Sequence, residues 1–315
     1  MNPADLQLSL APFQGITTPL FREVFTRHFK GVDKLYTAFF TGGHIRQKNA
    51  DHPDLAHTHQ NGVPVAPQIL SKDAEEILLF GRQCRDKGFE EINWNMGCPY
   101  PRVANKGRGS GLLPHPDKVE QILESVFPAL PVKLSIKCRL GYFSPDEILS
   151  LLPVLNRFPL SEIIVHARIG KQLYEGPVNL SAFASALPLS KLPVAYNGDI
   201  FSKEDLTKLQ QQFPTVNHWM IGRGLLYDPF LAARLKNIPI PENSQFVLYY
   251  YVTELYRAYR EKTEDRIAAL HIMKEFWSYF SNSFANPDQV FNQIKTCVTF
   301  SDYEGKISEI FEKSF

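Results

Sequence analysis

A single cysteine lies on a short turn beside a glycine-rich loop. From Asn95 the chain reads Asn-Met-Gly-Cys-Pro-Tyr-Pro-Arg-Val, and from Lys106 it reads Lys-Gly-Arg-Gly-Ser-Gly-Leu-Leu. A free cysteine is most often a buried packing residue, whereas a thiol on an accessible loop is able to exchange a proton or attack a substrate. The Gly-Cys-Pro setting therefore favours a chemical role for Cys98.

The residues before Cys98 predict a strand that ends just ahead of it. Side chains alternate with period two in Glu91–Asn95, so Asn93 and Asn95 share one face. Enzymes of the α/β class hold their active sites at the carboxyl ends of parallel strands. Other predicted strands also finish with polar residues: Gln68, Lys137 with Arg139, His166 and Asn197. A purely structural barrel would not need these residues, so we predict an active site at this end.

Eight β-like segments alternate with helical patterns over about 240 residues. The number of βα units predicts a (β/α)8 TIM barrel rather than an open doubly wound sheet, which usually has fewer strands. The predicted strands are Gln7–Pro12, Lys34–Phe40, Val65–Ile69, Glu91–Asn95, Val132–Cys138, Glu162–His166, Pro193–Asn197 and His218–Ile221. On the fifth strand, parity directs Ser135, Lys137 and Arg139 inward and Cys138 toward the helices.

A proline-rich connector at 236–244 separates this barrel from a different kind of sequence. Ser244 is predicted to be a helix N-cap, and helical spacing then recurs at 245–262, 265–283, 287–299 and 303–314. We therefore predict two domains. Residues 1–239 form the catalytic barrel, and residues 240–315 form a small α-helical bundle.

Composition and charge narrow the class of protein. The 315 residues include 44% hydrophobic residues and carry a formal net charge of +1, so charge alone does not indicate nucleic-acid binding. The four cysteines form no CxxC pair, and His52, His57 and His59 fit no metal-ligand pattern. No signal peptide and no apolar stretch of about 18 residues occurs. These features predict a soluble cytoplasmic protein without a metal site.

Two glycine turns follow the last two predicted strands. They are Asn197-Gly198-Asp199 and Gly222-Arg223-Gly224. Barrels of this type hold phosphate groups in the loops after strands seven and eight, where backbone N–H groups and Arg223 are available as donors. Either turn alone is explained by tight chain reversal, but two in these places favour a phosphate site.

The chain resembles the tRNA-dihydrouridine synthases. The matching motifs occur in the order of that family: Leu-Ser-Leu-Ala-Pro-Phe-Gln at 8–14, Asn-x-Gly-Cys-Pro at 95–99 followed by Val103 and Gly-Arg-Gly at 107–109, Ser-Ile-Lys-Cys-Arg at 135–139, His-Ala-Arg at 166–168, Asn-Gly-Asp at 197–199 and Gly-Arg-Gly at 222–224. The Asn-x-Gly-Cys-Pro motif is specific, whereas Gly-Arg-Gly alone occurs in many barrels. The helical tail resembles the bacterial subgroup that acts at position 16 of tRNA.

The resemblance implies FMN as the cofactor and assigns the residues that hold it. Phe13 and its neighbours would lie against the flavin ring, and Gln68 and Lys137 would bind its edge. A cation at this edge would stabilise the negative charge of the reduced flavin. The implied cofactor-binding residues are Pro12, Phe13, Gln14, Gln68, Lys137, His166, Arg168, Asn197, Gly198, Asp199, Gly222 and Arg223.

The implied reaction reduces the 5,6 double bond of a uridine in the tRNA D-loop. Reduced FMN would give a hydride to C6 and Cys98 would give a proton to C5. The thiol form is the useful one, because a cysteine with a reference pKa of about 8.5 is mostly protonated at pH 7. Asn95 would hold the uracil edge and Arg139 would polarise a uracil carbonyl.

The resemblance also implies partners and leaves alternatives. NADPH or NADH would reduce the flavin transiently, since no separate Rossmann motif occurs. The expected partner is tRNA, with no membrane, no DNA and no protein partner, and the expected state is a monomer. Around Lys106 the loop either contacts RNA phosphates or is a solvated flexible loop. Two other functions stay open, namely an FMN barrel that acts on a free pyrimidine and a non-catalytic RNA-binding barrel.

Overall fold

Eight parallel strands close a barrel in the part of the chain that the computed structural model describes, residues 6–46, 52–263 and 266–312. Each strand pairs with the next, and β1 pairs with β8 to complete the ring. The strands are β1 (Gln7–Leu10), β2 (Lys34–Phe40), β3 (Val63–Ile69), β4 (Glu91–Met96), β5 (Lys133–Gly141), β6 (Ile163–Ile169), β7 (Val194–Asn197) and β8 (His218–Ile221). The predicted TIM barrel is confirmed.

Helices surround the barrel and continue beyond it. They are α1 (Pro19–His28), α2 (Gly42–Arg46), α3 (Ala74–Asp86), α4 (Pro101–Ala104), α5 (Pro116–Val126), α6 (Glu147–Leu155), α7 (Leu180–Ala186), α8 (Lys203–Gln212), α9 (Arg223–Tyr227), α10 (Leu231–Leu235), α11 (Ser244–Lys262), α12 (Arg266–Phe280), α13 (Pro287–Lys295) and α14 (Phe300–Glu312). A two-residue strand, His59–Gln60, pairs antiparallel with the start of β3. The sequence patterns did not predict this hairpin. None of the described helices is long and apolar enough to cross a membrane.

The strands separate two layers of packing. Leu134, Ile136 and Cys138 of β5 are fully buried in the layer between strands and helices. The barrel interior contains a small apolar cluster: Ala11, Tyr36, Ala66, Ile164, Ala195 and Met220. This division follows from alternation along each strand, because successive side chains point to opposite faces. The predicted parity of β5 is therefore confirmed.

The C-terminal helices pack against α1 and reach the open end of the barrel. The Tyr251 ring of α11 lies 4.8 Å from the Phe29 ring, and the Tyr279 ring of α12 lies 5.8 Å from the Phe13 ring. The predicted N-cap at Ser244 is wrong by one residue. Because the Asn243 carbonyl already accepts hydrogen bonds from the N–H groups of Phe246 and Val247, α11 begins at Ser244 itself.

Candidate active site

A cavity of about 390 Å³ opens at the carboxyl ends of the strands. This volume lies within the range of small-molecule and cofactor sites. The predicted site residues that line it are Pro12, Phe13, Gln14, Gln68, Asn95, Cys98, Lys137, Arg139, His166, Asn197, Gly198, Asp199, Gly222 and Arg223. Arg168 is the exception, since it lies behind the cavity wall. The parallel topology brings these residues together although they span more than 200 positions.

The loop that carries Cys98 is held by the strand before it. The Asn95 side-chain oxygen accepts hydrogen bonds from the N–H groups of Gly97 and Cys98 at 3.0 and 2.9 Å. The Asn95 amide nitrogen donates to Gln68 at 2.7 Å. Most of the hydrogen-bonding capacity of Asn95 is thus used inside the protein, which indicates that this residue positions Cys98.

The glycine-rich segment packs directly against Cys98. Gly109 has φ +56°, and a Cβ on it would lie 2.7 Å from the Cys98 carbonyl oxygen. Ser110 donates to the same carbonyl from its backbone and from its hydroxyl, at 3.1 and 2.9 Å. The sequence offered an RNA contact or a solvated loop as the role of this segment. Its glycine and serine hold Cys98 from the second side, and the two roles offered for the residues around Lys106 stay predictions.

The Cys98 thiol is buried at the wall of the cavity, with 7% of the residue exposed. Burial raises the pKa of this thiol, and the backbone N–H of Tyr100 and the charge of Arg139 oppose the rise only in part. A raised pKa keeps the sulfur protonated at neutral pH. Cys98 is therefore suited to give a proton and poorly suited to act as a thiolate nucleophile.

Lys137 and Arg139 bring two cations to the same wall. Within the described ranges the Lys137 ammonium makes no hydrogen bond or ion pair, and burial with the nearby charge of Arg139 lowers the pKa of Lys137 to about 8. Arg139 is differently placed, because its guanidinium donates to the carbonyls of Gly97, Ile169 and Leu173. Arg139 therefore ties the Cys98 loop to the loop after β6, while Lys137 is the cation available to a ligand.

The imidazole of His166 lines the same wall of the cavity as Lys137 and Arg139. His166 is 7% exposed, and burial together with the charges of Arg139 and Lys137 holds its pKa well below the ordinary value. The side chain is therefore uncharged at pH 7. It contributes a hydrogen-bonding group without adding a third positive charge to the wall.

Asp199 joins the two predicted phosphate turns. Its carboxylate accepts two hydrogen bonds from Arg168, at 2.9 and 2.5 Å, and one from Arg223 at 2.8 Å. Arg168 is 2% exposed and also donates to the Gly176 carbonyl. These contacts explain why Arg168 supports the wall from behind, as a residue that positions Asp199.

Replacing Asp199 with alanine is expected to destabilise the fold, because the Arg168 guanidinium would stay buried without its carboxylate. Loss of one partner of a buried pair costs about 3 kcal/mol, whereas removal of an exposed pair costs below about 1 kcal/mol. Urea unfolding monitored by circular dichroism measures both effects. Asp86→Ala is the control, since Asp86 pairs with Arg85 on the surface. Equal losses in the two variants would contradict this account.

Several cavity residues were missed by sequence reasoning. Tyr174 places its ring 5.2 Å from the Arg139 guanidinium and 5.9 Å from that of Arg223. Glu275 and Tyr279 extend from α12 into the cavity mouth. Alternation along strands gives no signal for a tyrosine in a loop. It also gives none for α12, which begins more than 250 residues after Phe13. Among the residues with described positions, no cluster of His, Cys, Asp and Glu side chains is able to bind a metal.

Comparisons with known proteins agree with this geometry. In fold, the chain is similar to histamine dehydrogenase from Rhizobium sp. 4-9, with a TM-score of 0.60 and 11% identity, over 80% of this chain and 48% of that one. It thus spans about half the length of that protein. Morphinone reductase is similar with a TM-score of 0.51 and 9% identity, over 73% and 85% of the two chains. These structures support the barrel fold alone.

Sequence relatives and a family model identify the lineage. The chain is 27% identical to tRNA-dihydrouridine synthase B of Pasteurella multocida, over 93% of this chain and 89% of that one. It is 24% identical to tRNA-dihydrouridine(16) synthase of Neisseria meningitidis serogroup A, over 97% and 95%. The family model described as dihydrouridine synthase matches residues 9–314. This chain therefore belongs to the dihydrouridine synthase family.

Proposed function

We propose that this protein reduces the 5,6 double bond of one uridine in the D-loop of tRNA, with FMN as cofactor and NADPH or NADH as reductant, in the cytoplasm. The observation that carries the proposal is one cavity lined both by the buried Cys98 thiol, whose raised pKa favours the protonated form, and by the Lys137 ammonium, which has no partner among the described residues. Reduction of a carbon–carbon double bond requires a proton donor and a site for a reduced cofactor. The family to which the chain belongs supports the same reaction.

The residues of the cavity fit FMN. Lys137 lines the cavity and would bind the flavin edge, where it would regain a counter-charge from the anionic reduced ring. Gly198 and Gly222 allow these turns to pack closely against the cavity wall, since a Cβ on Gly198 would lie 2.8 Å from Val178 and one on Gly222 would lie 3.2 Å from Phe13. Arg223 and the backbone N–H groups of these turns would hold the phosphate. Pro12, Phe13, Gln14, Gln68, His166 and Asn197 complete the proposed cofactor site.

The protein groups divide the remaining work. Bound and reduced, FMN would supply the hydride for C6 of the uracil. Cys98 would protonate C5 from its neutral Sγ–H, and burial favours this neutral form before the transfer. Arg139 lines the cavity, and its positive charge would stabilise negative charge that develops on a uracil carbonyl. Asn95 would hold the Cys98 loop and border the uracil edge.

A basic groove beside the Cys98 loop supports tRNA as the substrate. We define it by Lys72, Lys106, His115 and Lys118, which line one surface depression. The three lysines form no ion pair with any carboxylate in the described part of the chain. Nearby, Lys171 lies 5.5 Å from the centre of the Phe143 ring, which is 62% exposed. Cations without carboxylate partners are available to phosphate groups, and exposed rings are available to bases.

Reversing charges in the basic groove is expected to weaken tRNA binding without changing the flavin site. In a Lys106→Glu/Lys118→Glu variant, the slope of log affinity against log salt should become shallower by about 2, since each phosphate contact contributes about 1. Fluorescence anisotropy with labelled tRNA at several salt concentrations measures the slope. Lys208→Glu is the control, because Lys208 is an exposed residue of α8. A slope unchanged from that control would remove this groove from the tRNA-binding surface.

The direct test incubates the purified protein with NADPH and unmodified tRNA and measures dihydrouridine by mass spectrometry. The expected result is a yellow protein that forms dihydrouridine at one position. Sequencing of the product then distinguishes position 16, which the helical tail favours, from other D-loop uridines. A flavin-containing protein that reduces free pyrimidines and leaves tRNA unchanged would contradict the proposal. A colourless protein that binds tRNA would contradict it as well.

A further inference from the structure

A line of hydrogen bonds begins at the amino-terminal end of the barrel. The Lys34 ammonium donates to both carboxylate oxygens of Glu91, at 2.9 and 2.8 Å. The Ser135 hydroxyl donates to Glu91 at 2.5 Å, and the Asn93 amide donates to the Ser135 oxygen at 2.9 Å. These contacts link the entrance of strands β2 and β4 to the fully buried interior.

The same line continues to the other end of the barrel. The Gln68 amide nitrogen donates to the Asn93 oxygen at 2.8 Å, and the Asn95 amide nitrogen donates to the Gln68 oxygen at 2.7 Å. The Asn95 oxygen then accepts from the backbone N–H of Cys98. Gln68, Asn93 and Ser135 are completely buried, so water does not compete for the hydrogen bonds among these three residues. We call the five hydrogen-bonded side chains of Glu91, Ser135, Asn93, Gln68 and Asn95 the interior chain.

Every hydrogen bond of the interior chain runs in one direction. A side-chain amide is able to face either way, because one end donates and the other accepts. A carboxylate ion only accepts, and the Glu91 carboxylate is paired with the Lys34 ammonium. Ser135 must therefore donate to Glu91, which leaves its oxygen to accept from Asn93. The orientation of the Asn93, Gln68 and Asn95 amides is fixed in the same way, one after the other. As a result, the Asn95 oxygen faces the Cys98 loop.

We propose that Glu91 is a positioning residue for Cys98, which acts through the interior chain although it lies at the opposite end of the barrel. Its negative charge selects the amide orientation in which Asn95 accepts from the N–H groups of Gly97 and Cys98. In the reversed orientation the Asn95 NH2 group would face those donors, and the loop would lose both contacts. The effect of this orientation on proton transfer by Cys98 rests on the proposed function, whereas the orientation of the interior chain itself does not.

Exchanging the two charges tests this inference. In a Lys34→Glu/Glu91→Lys variant, the ion pair is kept but an ammonium group, which only donates, faces Ser135. The interior chain should reverse, and the Cys98 loop should open more often. We expect the rate of Cys98 alkylation by iodoacetamide to rise about tenfold, the factor that corresponds to 1.4 kcal/mol. Site-resolved mass spectrometry separates Cys98 from the other three cysteines.

A matched control lies at the same end of the barrel. Glu162 binds His218 at 2.7 Å and contributes no atom to the interior chain. Glu162→Gln should leave Cys98 alkylation within about twofold of wild type, because that change does not touch an amide of the chain. A rise of equal size in this control would overturn the inference, since it would show general loosening of the barrel end.

A single substitution covers the case in which the exchanged pair prevents folding. Glu91→Gln provides a group that both donates and accepts, so the interior chain would populate both directions. The rate of Cys98 alkylation should then rise about threefold. This factor corresponds to a free-energy difference of about 0.65 kcal/mol, at 1.4 kcal/mol per tenfold. Wild-type rates in every folded variant would overturn the inference. The reaction is run at equal flavin occupancy without tRNA or NADPH. Its outcome is therefore separate from success or failure of the proposed activity.

Discussion

Replacing Cys98 with alanine is expected to lower the rate of dihydrouridine formation by a factor of about 10²–10⁴, the range over which a positioned proton donor contributes to catalysis. The buried neutral thiol is the proposed donor, and alanine has no proton to give. Flavin binding should persist, since the cofactor site is built mainly from other residues. Single-turnover measurement with prereduced enzyme and tRNA isolates the chemical step from flavin reduction.

A serine variant separates proton donation from packing. Cys98→Ser keeps a small side chain with a proton, but a hydroxyl is a far weaker acid than a thiol, so we expect a rate between those of alanine and wild type. A second cysteine provides a control for loss of buried sulfur. Cys138 is fully buried in the strand–helix layer, and Cys138→Ala should destabilise the fold without a specific loss of rate. Wild-type turnover by Cys98→Ala would contradict the proposed role of Cys98.

Much of the cavity was predictable because its residues obey local rules. Period-two alternation directed Ser135 and Arg139 inward, and strand ends identified Gln68, Asn95 and His166 without any knowledge of packing. Parallel topology then placed all strand ends on one face. A strand's own sequence therefore contained the necessary information.

The residues that were missed depend on contacts distant in sequence. Tyr174 enters the cavity because Leu173, at φ +52°, reverses the chain and its carbonyl accepts from Arg139. Tyr279 reaches Phe13 because α11 packs against α1, and α12 packs against α11 and α9. The Arg168 guanidinium is paired with the carboxylate of Asp199, which follows the end of the next strand, β7. Hydrophobic periodicity describes which face of an element is buried, but it does not say which partner covers that face.

Lys137→Met is expected to weaken flavin binding and to stabilise the flavin-free protein. A hydrogen bond to a charged group contributes about 1.5–3 kcal/mol, so FMN affinity should fall about 10- to 100-fold. Without flavin the half-buried ammonium has no partner in the structure as described, and methionine removes its desolvation cost. The Tm of the flavin-free variant should therefore rise, by about 2 °C or more. Calorimetry of flavin binding and thermal unfolding measure the two effects, with the exposed Lys133 of the same strand changed to methionine as the control.

The pH dependence of both effects follows from the pKa of Lys137, which burial and the Arg139 charge lower from the ordinary 10.5 to about 8. Between these values the unfolded chain binds more protons at this site than the folded chain does. The stability of the flavin-free wild type should therefore rise from about pH 8 to 10.5, and this rise should be absent in Lys137→Met. FMN affinity should change in the opposite direction, because the cation that receives the flavin is lost above pH 8. Equal FMN affinity in the Lys137→Met and Lys133→Met variants would show that the flavin edge does not depend on this ammonium.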